Sequence, residues 1–104
     1  MSKGEIYKHF VASFSPAREG DLKVWWIPQV PMDAFEWRVA DLAQASVLLD
    51  ALAAYDDFQF WKRVKGDYCN TGGLMIFRNG DWEDWETEDG DDFETWRDDQ
   101  RNAA

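Results

Sequence analysis

The 104-residue chain has one cysteine, Cys69, and one histidine, His9. No intrachain disulfide can form, and no Cys/His zinc set can be assembled. Such thiol usage fits a reducing compartment, and a cytoplasmic location is expected. Long apolar runs are missing too. The longest is Ala51 to Tyr55, far short of a membrane span, and the charged stretch Met1 to Phe10 lacks the apolar segment of a signal peptide. Membrane insertion and export are therefore not expected. Positive charge is scarce: 11 Lys and Arg stand against 21 Asp and Glu, for a net charge of −10. That balance disfavours direct contact with nucleic acid or anionic lipid and favours cationic partners, including proteins that themselves hold DNA or RNA.

What is present is 45% hydrophobic and 16% aromatic residues, enough for one small core but not for two. The charge is uneven. Residues 1–66 hold 8 Lys/Arg and 9 Asp/Glu, whereas residues 67–104 hold 3 and 12. The acidic third also contains Trp82, Trp85, Phe93 and Trp96, so it lacks the aromatic-poor composition of plain disorder and part of it is expected to fold or dock.

The pattern predicts three regions: an N-terminal helix or arm over 1–21, an α+β core over 22–87, and an acidic C-terminal arm or short helix over 88–104. Tyr7, Phe10, Val11 and Phe14 share one helical face before Ser15-Pro16 and Gly20 interrupt it. Lys23 to Ile27, β-branched and aromatic and stopped by Pro28, reads as a strand. Phe35, Trp37 and Val39 alternate with Glu36 and Arg38, giving a second strand expected to pair with the first. Leu42, Ala45, Leu48, Leu49 and Leu52 fall at helical spacing behind Asp41 as N-cap, with Gln44 in the capping-box position. That helix is expected to end near Tyr55, with Asp56-Asp57 as its break and the alternating Phe58, Phe60 and Lys62 as a further strand. Asp67 to Gly73 reads as a turn-rich loop. Leu74 to Phe77 and Trp82 to Glu86 flank Asn79-Gly80, a strong hairpin signal. The expected fold is α+β, in the order β-β-α-β-β-β, with one helix on one face of a small, mainly antiparallel sheet. Seven tryptophans exceed what so small a core must bury, so some are expected at the surface.

Catalytic chemistry finds little support. Cys69, His9 and an aspartate could form a nucleophile, base and orienter, but residue types alone constrain such a set loosely, and a bland thiol and a surface histidine are the simpler reading. Carboxylate pairs at Asp56-Asp57, Glu83-Asp84, Asp91-Asp92 and Asp98-Asp99 are adjacent in sequence, which on a strand sends them to opposite faces. An EF-hand loop fails at its first position, since Trp85 and Met75 stand five residues before Gly90 and Gly80. Gly72-Gly73 lacks the lysine and the helix of a phosphate loop. No catalytic residue, metal or cofactor is expected.

The positive candidate is an acidic aromatic surface formed by Trp82, Glu83, Asp84, Trp85 and Glu86 and continued by Glu88, Asp89, Asp91, Asp92 and Trp96. Carboxylates recurring every few ångströms approximate the phosphate spacing of DNA, so such a face can enter a basic nucleic-acid channel. Tryptophan is favoured at binding hot spots, and Trp82 and Trp85 are the expected anchors. A plainly solvated acidic edge, with the tryptophans plugging the core, accounts for the same residues.

Ala45, Leu48-Leu49-Asp50, Tyr55-Asp56, Phe58-Gln59-Phe60, Lys65, Asp67-Tyr68, Asn70, Gly72-Gly73-Leu74, Trp82-Glu83-Asp84-Trp85 and Asp89-Gly90 together resemble a group of short acidic proteins of tailed phages and prophages, often called superinfection exclusion proteins. The resemblance runs from Val24-Trp25-Trp26-Ile27-Pro28 to Gly90, about two thirds of the chain, and brings no catalytic motif. It implies a phage-encoded accessory protein acting in the infected cell by blocking a host or rival-phage protein with a basic surface, such as a restriction or CRISPR-type complex. The alternative is a homodimeric scaffold in which tryptophans of the Trp25-Trp26 strand meet across a two-fold axis and the acidic surface only solubilises.

Overall fold

A computed structural model describes residues 2–103. Met1 and Ala104, the outermost residues of the two terminal regions set off above, lie outside the described residues. The elements are α1 (Glu5–Ser13), β1 (Leu22–Ile27), β2 (Phe35–Val39), α2 (Leu42–Trp61), β3 (Thr71–Arg78), β4 (Asp81–Asp84) and α3 (Phe93–Asn102). The protein is α+β, with one antiparallel sheet ordered β2-β1-β3-β4.

The register sorts side chains by face. Leu22, Val24 and Trp26 lie opposite Val39, Trp37 and Phe35 on one side and opposite Ile76, Leu74 and Gly72 on the other. This face meets Ala45 and Leu49 of α2 and Phe93 of α3, and with Val24, Trp26, Val39 and Leu74 they form the core. Lys23, Trp25, Arg38, Met75, Phe77 and Trp82 belong to the other face, which carries neither α2 nor α3. At the β2 edge, the Tyr7 hydroxyl of α1 accepts from the Glu36 N–H at 2.9 Å and donates to the Glu36 carbonyl at 3.4 Å. Phe10 and Phe14 pack on Trp37 at 5.7 and 5.0 Å. An unpaired strand edge is thereby covered.

Two sequence expectations are corrected. Residues 58–61 continue α2 instead of forming a strand, so the order is β-β-α-β-β within a four-stranded sheet. Asp56 does not break the helix. Its side chain is buried and accepts from Trp26 Nε1, Lys65 Nζ and Asn70 Nδ2, each at 2.9 Å, so a tertiary network holds a carboxylate that local propensity disfavours. The second correction concerns Gly72 and Gly73, which lie within β3 and not in a loop. A Cβ at Gly72 would overlap the Trp26 ring, and one at Gly73 would sit 2.7 Å from Trp25 Nε1. The glycines let both indoles lie against the strand.

The hairpin falls where Asn79-Gly80 predicts it, with φ of 53° and 81°, the left-handed pair a two-residue turn requires. Trp26 is buried beneath α2, so β1 does not present paired tryptophans at the surface. The acidic C-terminal segment is docked: Phe93, 2% exposed, is part of the core.

Candidate functional site

β4 turns its side chains alternately to the two faces. Trp82 lies opposite Phe77, packs on it edge-to-face at 5.3 Å, and has Lys23 Nζ and Arg38 Cζ 4.5 and 4.9 Å from its ring centroid. Those cations are in turn paired with Glu36 and Asp21. Trp85 points to the helix side, in an aromatic trio with Phe93 at 5.4 Å and Trp96 at 5.8 Å. The two expected anchors therefore belong to different surfaces. The sequence carried this signal, because a separation of three residues on a strand reverses the face.

The structure gathers a subset of the acidic residues around an open groove of about 500 Å³ between the end of β4, the start of β3 and the N-terminus of α3. Asp84, Trp85, Glu86, Asp91 and Asp92 line it, joined by Glu94 and by Trp25, Gly72 and Gly73. Trp82, Glu83, Glu88, Asp89 and Trp96 do not line it. Glu83 pairs loosely with Arg78 at 3.6 Å, and Glu88 and Asp89 are exposed in the preceding turn. Trp25 and the two glycines are additions that only the register reveals, since they come from β1 and β3.

Local hydrogen bonds shape the acidic rim. The turn after β4 is closed by Thr87 N–H to the Asp91 carbonyl at 2.9 Å, Gly90 N–H to the Thr87 carbonyl at 3.0 Å and Asp91 N–H to Thr87 Oγ1 at 3.1 Å. Gly90, at φ 87°, supplies the left-handed residue. Asp92 caps α3 by accepting from Thr95 N–H at 2.8 Å, and that backbone bond, with a lesser contribution from the Thr95 side chain, holds its carboxyl below the usual range. Behind the rim, Arg97 donates to the Ser46 carbonyl and hydroxyl at 3.0 and 2.9 Å, to Asp50 at 3.0 Å and to Glu94 at 2.6 Å. The bonds to Ser46 and Asp50 tie α3 to α2.

Among the described residues, Asp84, Glu86, Asp91 and Asp92 have no ion-pair partner, whereas Asp21, Glu36, Asp50 and Asp56 are matched by cations of the chain. Unmatched carboxylates beside indole faces suit a Lys or Arg side chain, by charge and by cation–π contact. Cys69 and His9 are both exposed. Among the described residues no group of three or more His, Cys, Asp or Glu could hold a metal, and no helix is long and apolar enough to cross a membrane.

Fold and groove thus define a small α+β protein with an unneutralised acidic concavity. Residues 21–102 match the model of the family described as superinfection exclusion gene product 17, and the chain belongs to that family. The superinfection exclusion protein of Salmonella phage P22 is 44% identical over 72 residues, covering 65% of this chain and 70% of that protein. The family match leaves α1 outside and takes in all of α3. No solved structure matches the chain.

Proposed function

We propose that this protein excludes superinfecting phage without catalysis, by binding a basic protein of the host or of a rival phage in the bacterial cytoplasm and blocking it. The observation that carries this reading is the groove lined by Asp84, Glu86, Asp91 and Asp92, unpaired among the described residues, next to Trp25 and Trp85. A basic side chain entering it gains charge complementarity, while the exposed Glu83, Glu88 and Asp89 extend the negative field. Surfaces built to hold nucleic acid have this complementary sign, so a DNA-handling complex, including one of the CRISPR type, is the partner class that fits best. The acidic face would then act as a mimic of the phosphate backbone.

The test is capture from host lysate with the intact protein, eluted by a salt gradient and repeated with Asp84→Asn/Glu86→Gln/Asp91→Asn. Truncation after Thr87 is unsuitable because it removes Phe93 from the core. A nucleic-acid-handling partner that elutes at moderate salt and is lost with the triple variant is the expected result. A partner held equally by the variant and insensitive to salt moves the function away from the groove.

A further inference from the structure

The outer side of α2 is as apolar as the inner one. Val47, Ala51, Ala54, Phe58 and Trp61 recur at alternating spacings of four and three along it, the seam of a two-helix coiled coil. All five are exposed, Val47 at 69%, Phe58 at 49% and Trp61 at 70%. A helix apolar all round is normally covered all round.

We propose that a second copy of this chain covers this seam as an antiparallel α2–α2 pair about a two-fold axis beside the Leu52–Ala53 peptide. In that arrangement four of the five seam residues face one another, while Trp61 lies opposite Gln44 of the second copy. Ala51 meets Ala54 of the second copy, and the small pair lets the helices approach closely at the crossing. Val47 meets Phe58 on either side, a medium residue against a large one. Charge at the helix ends favours this register, while the exposed Asp57 comes within a turn of Asp50 of the second copy and opposes it. Lys62 and Arg63, exposed just past the end of the helix, come within a turn of Asp41, the exposed N-cap of the second copy's helix, and the two helix dipoles run antiparallel. Asp50, on the flank, is already matched by Arg97 and Arg101 of its own chain. The face is distinct from the acidic groove, and the pairing holds whatever the groove binds.

Apolar contact drives this association, while the net charge of −10 on each chain opposes it, so salt should strengthen the dimer. Sedimentation equilibrium of the full chain, from micromolar to submillimolar concentration, should show a species of twice 12.2 kDa whose fraction rises with salt. Ala51→Glu/Ala54→Glu should raise the dimer Kd by about a hundredfold or more, since it places carboxylates face to face in the seam. Both sites are solvent-exposed, and far-UV circular dichroism should show unchanged helix content. In a Cys69→Ser background, mixing Ala51→Cys with Ala54→Cys should give cross-linked dimer faster than either variant alone, as only the antiparallel register predicts. A monomer at every concentration and salt overturns the proposal, as does cross-linking no faster in the mixture. Flotation of the monomer with anionic phospholipid vesicles, lost in Lys62→Glu/Arg63→Glu, would instead give the face to a lipid surface and likewise overturn it.

Discussion

Asp56 sits 3% exposed in the middle of a hydrophobic sequence, and three donors make its position possible. Burial pushes its carboxyl upward, but hydrogen bonds from Asn70, Lys65 and Trp26, with the Lys65 charge, outweigh burial and hold it below its ordinary 3.8. A carboxyl lowered on folding stabilises the fold fully above its unfolded value and loses that contribution as pH falls through the lowered folded value. Asp56→Asn is therefore expected to cost about 3 kcal/mol in urea unfolding at neutral pH, because it strands the Lys65 ammonium and breaks one network linking α2, β1 and the loop before β3. The same variant should show a flatter loss of stability below pH 3.8 than the parent. In the sequence this aspartate reads as a helix breaker, since its three partners lie 30, 9 and 14 residues away and no local pattern reports them. Gly72 is the complementary case. Gly72→Ala should destabilise by about 1–3 kcal/mol, the range for overpacking, because its methyl would meet the buried Trp26 ring.

At the scale of elements, β1, β2, the start of α2 and the Asn79-Gly80 turn were all legible, because each rests on period or turn chemistry within a few residues. The continuation of α2 past Asp56 and the strand character of Thr71–Gly73 were not, because both depend on where the indoles of Trp25 and Trp26 lie. α3 shows the same limit. Its acidic sequence hides one residue, Phe93, that is fully engaged with the core and stacked at 5.7 Å on Trp96. Phe93→Ala is expected to cost about 3–5 kcal/mol and to release α3, seen as loss of amide-exchange protection over Phe93–Asn102. Asp92→Ala, which removes only the cap, should cost about 1 kcal/mol and leave α3 docked. Equal effects of the two substitutions would mean that the helix is held by its cap and not by packing. The groove inherits this dependence, since α3 supplies one of its walls.

For the whole molecule, the acidic groove and the apolar seam of α2 make opposite demands on the solvent. Binding of the proposed basic partner to Asp84, Glu86, Asp91 and Asp92 would weaken as salt screens the attraction, while the proposed pairing of two chains of like net charge would strengthen under the same change. The acidity of the last third was plain in the sequence. Its division into groove-lining and outlying residues was not, because Trp25, Gly72 and Gly73 reach the groove from other strands. The outer seam of α2 was legible in principle, as a second apolar stripe behind the first, but only once the helix is known to reach Trp61. If the two surfaces are energetically separate, Asp84→Asn/Glu86→Gln/Asp91→Asn should reduce partner capture at low salt by about tenfold or more, at up to about 1 kcal/mol for each charge lost, while leaving the dimer Kd unchanged within about twofold. Ala51→Glu/Ala54→Glu should do the reverse with a soluble, monovalent partner. Combining the five substitutions should give the sum of the two effects in free energy, and any large departure from additivity would show that dimer formation shapes the groove.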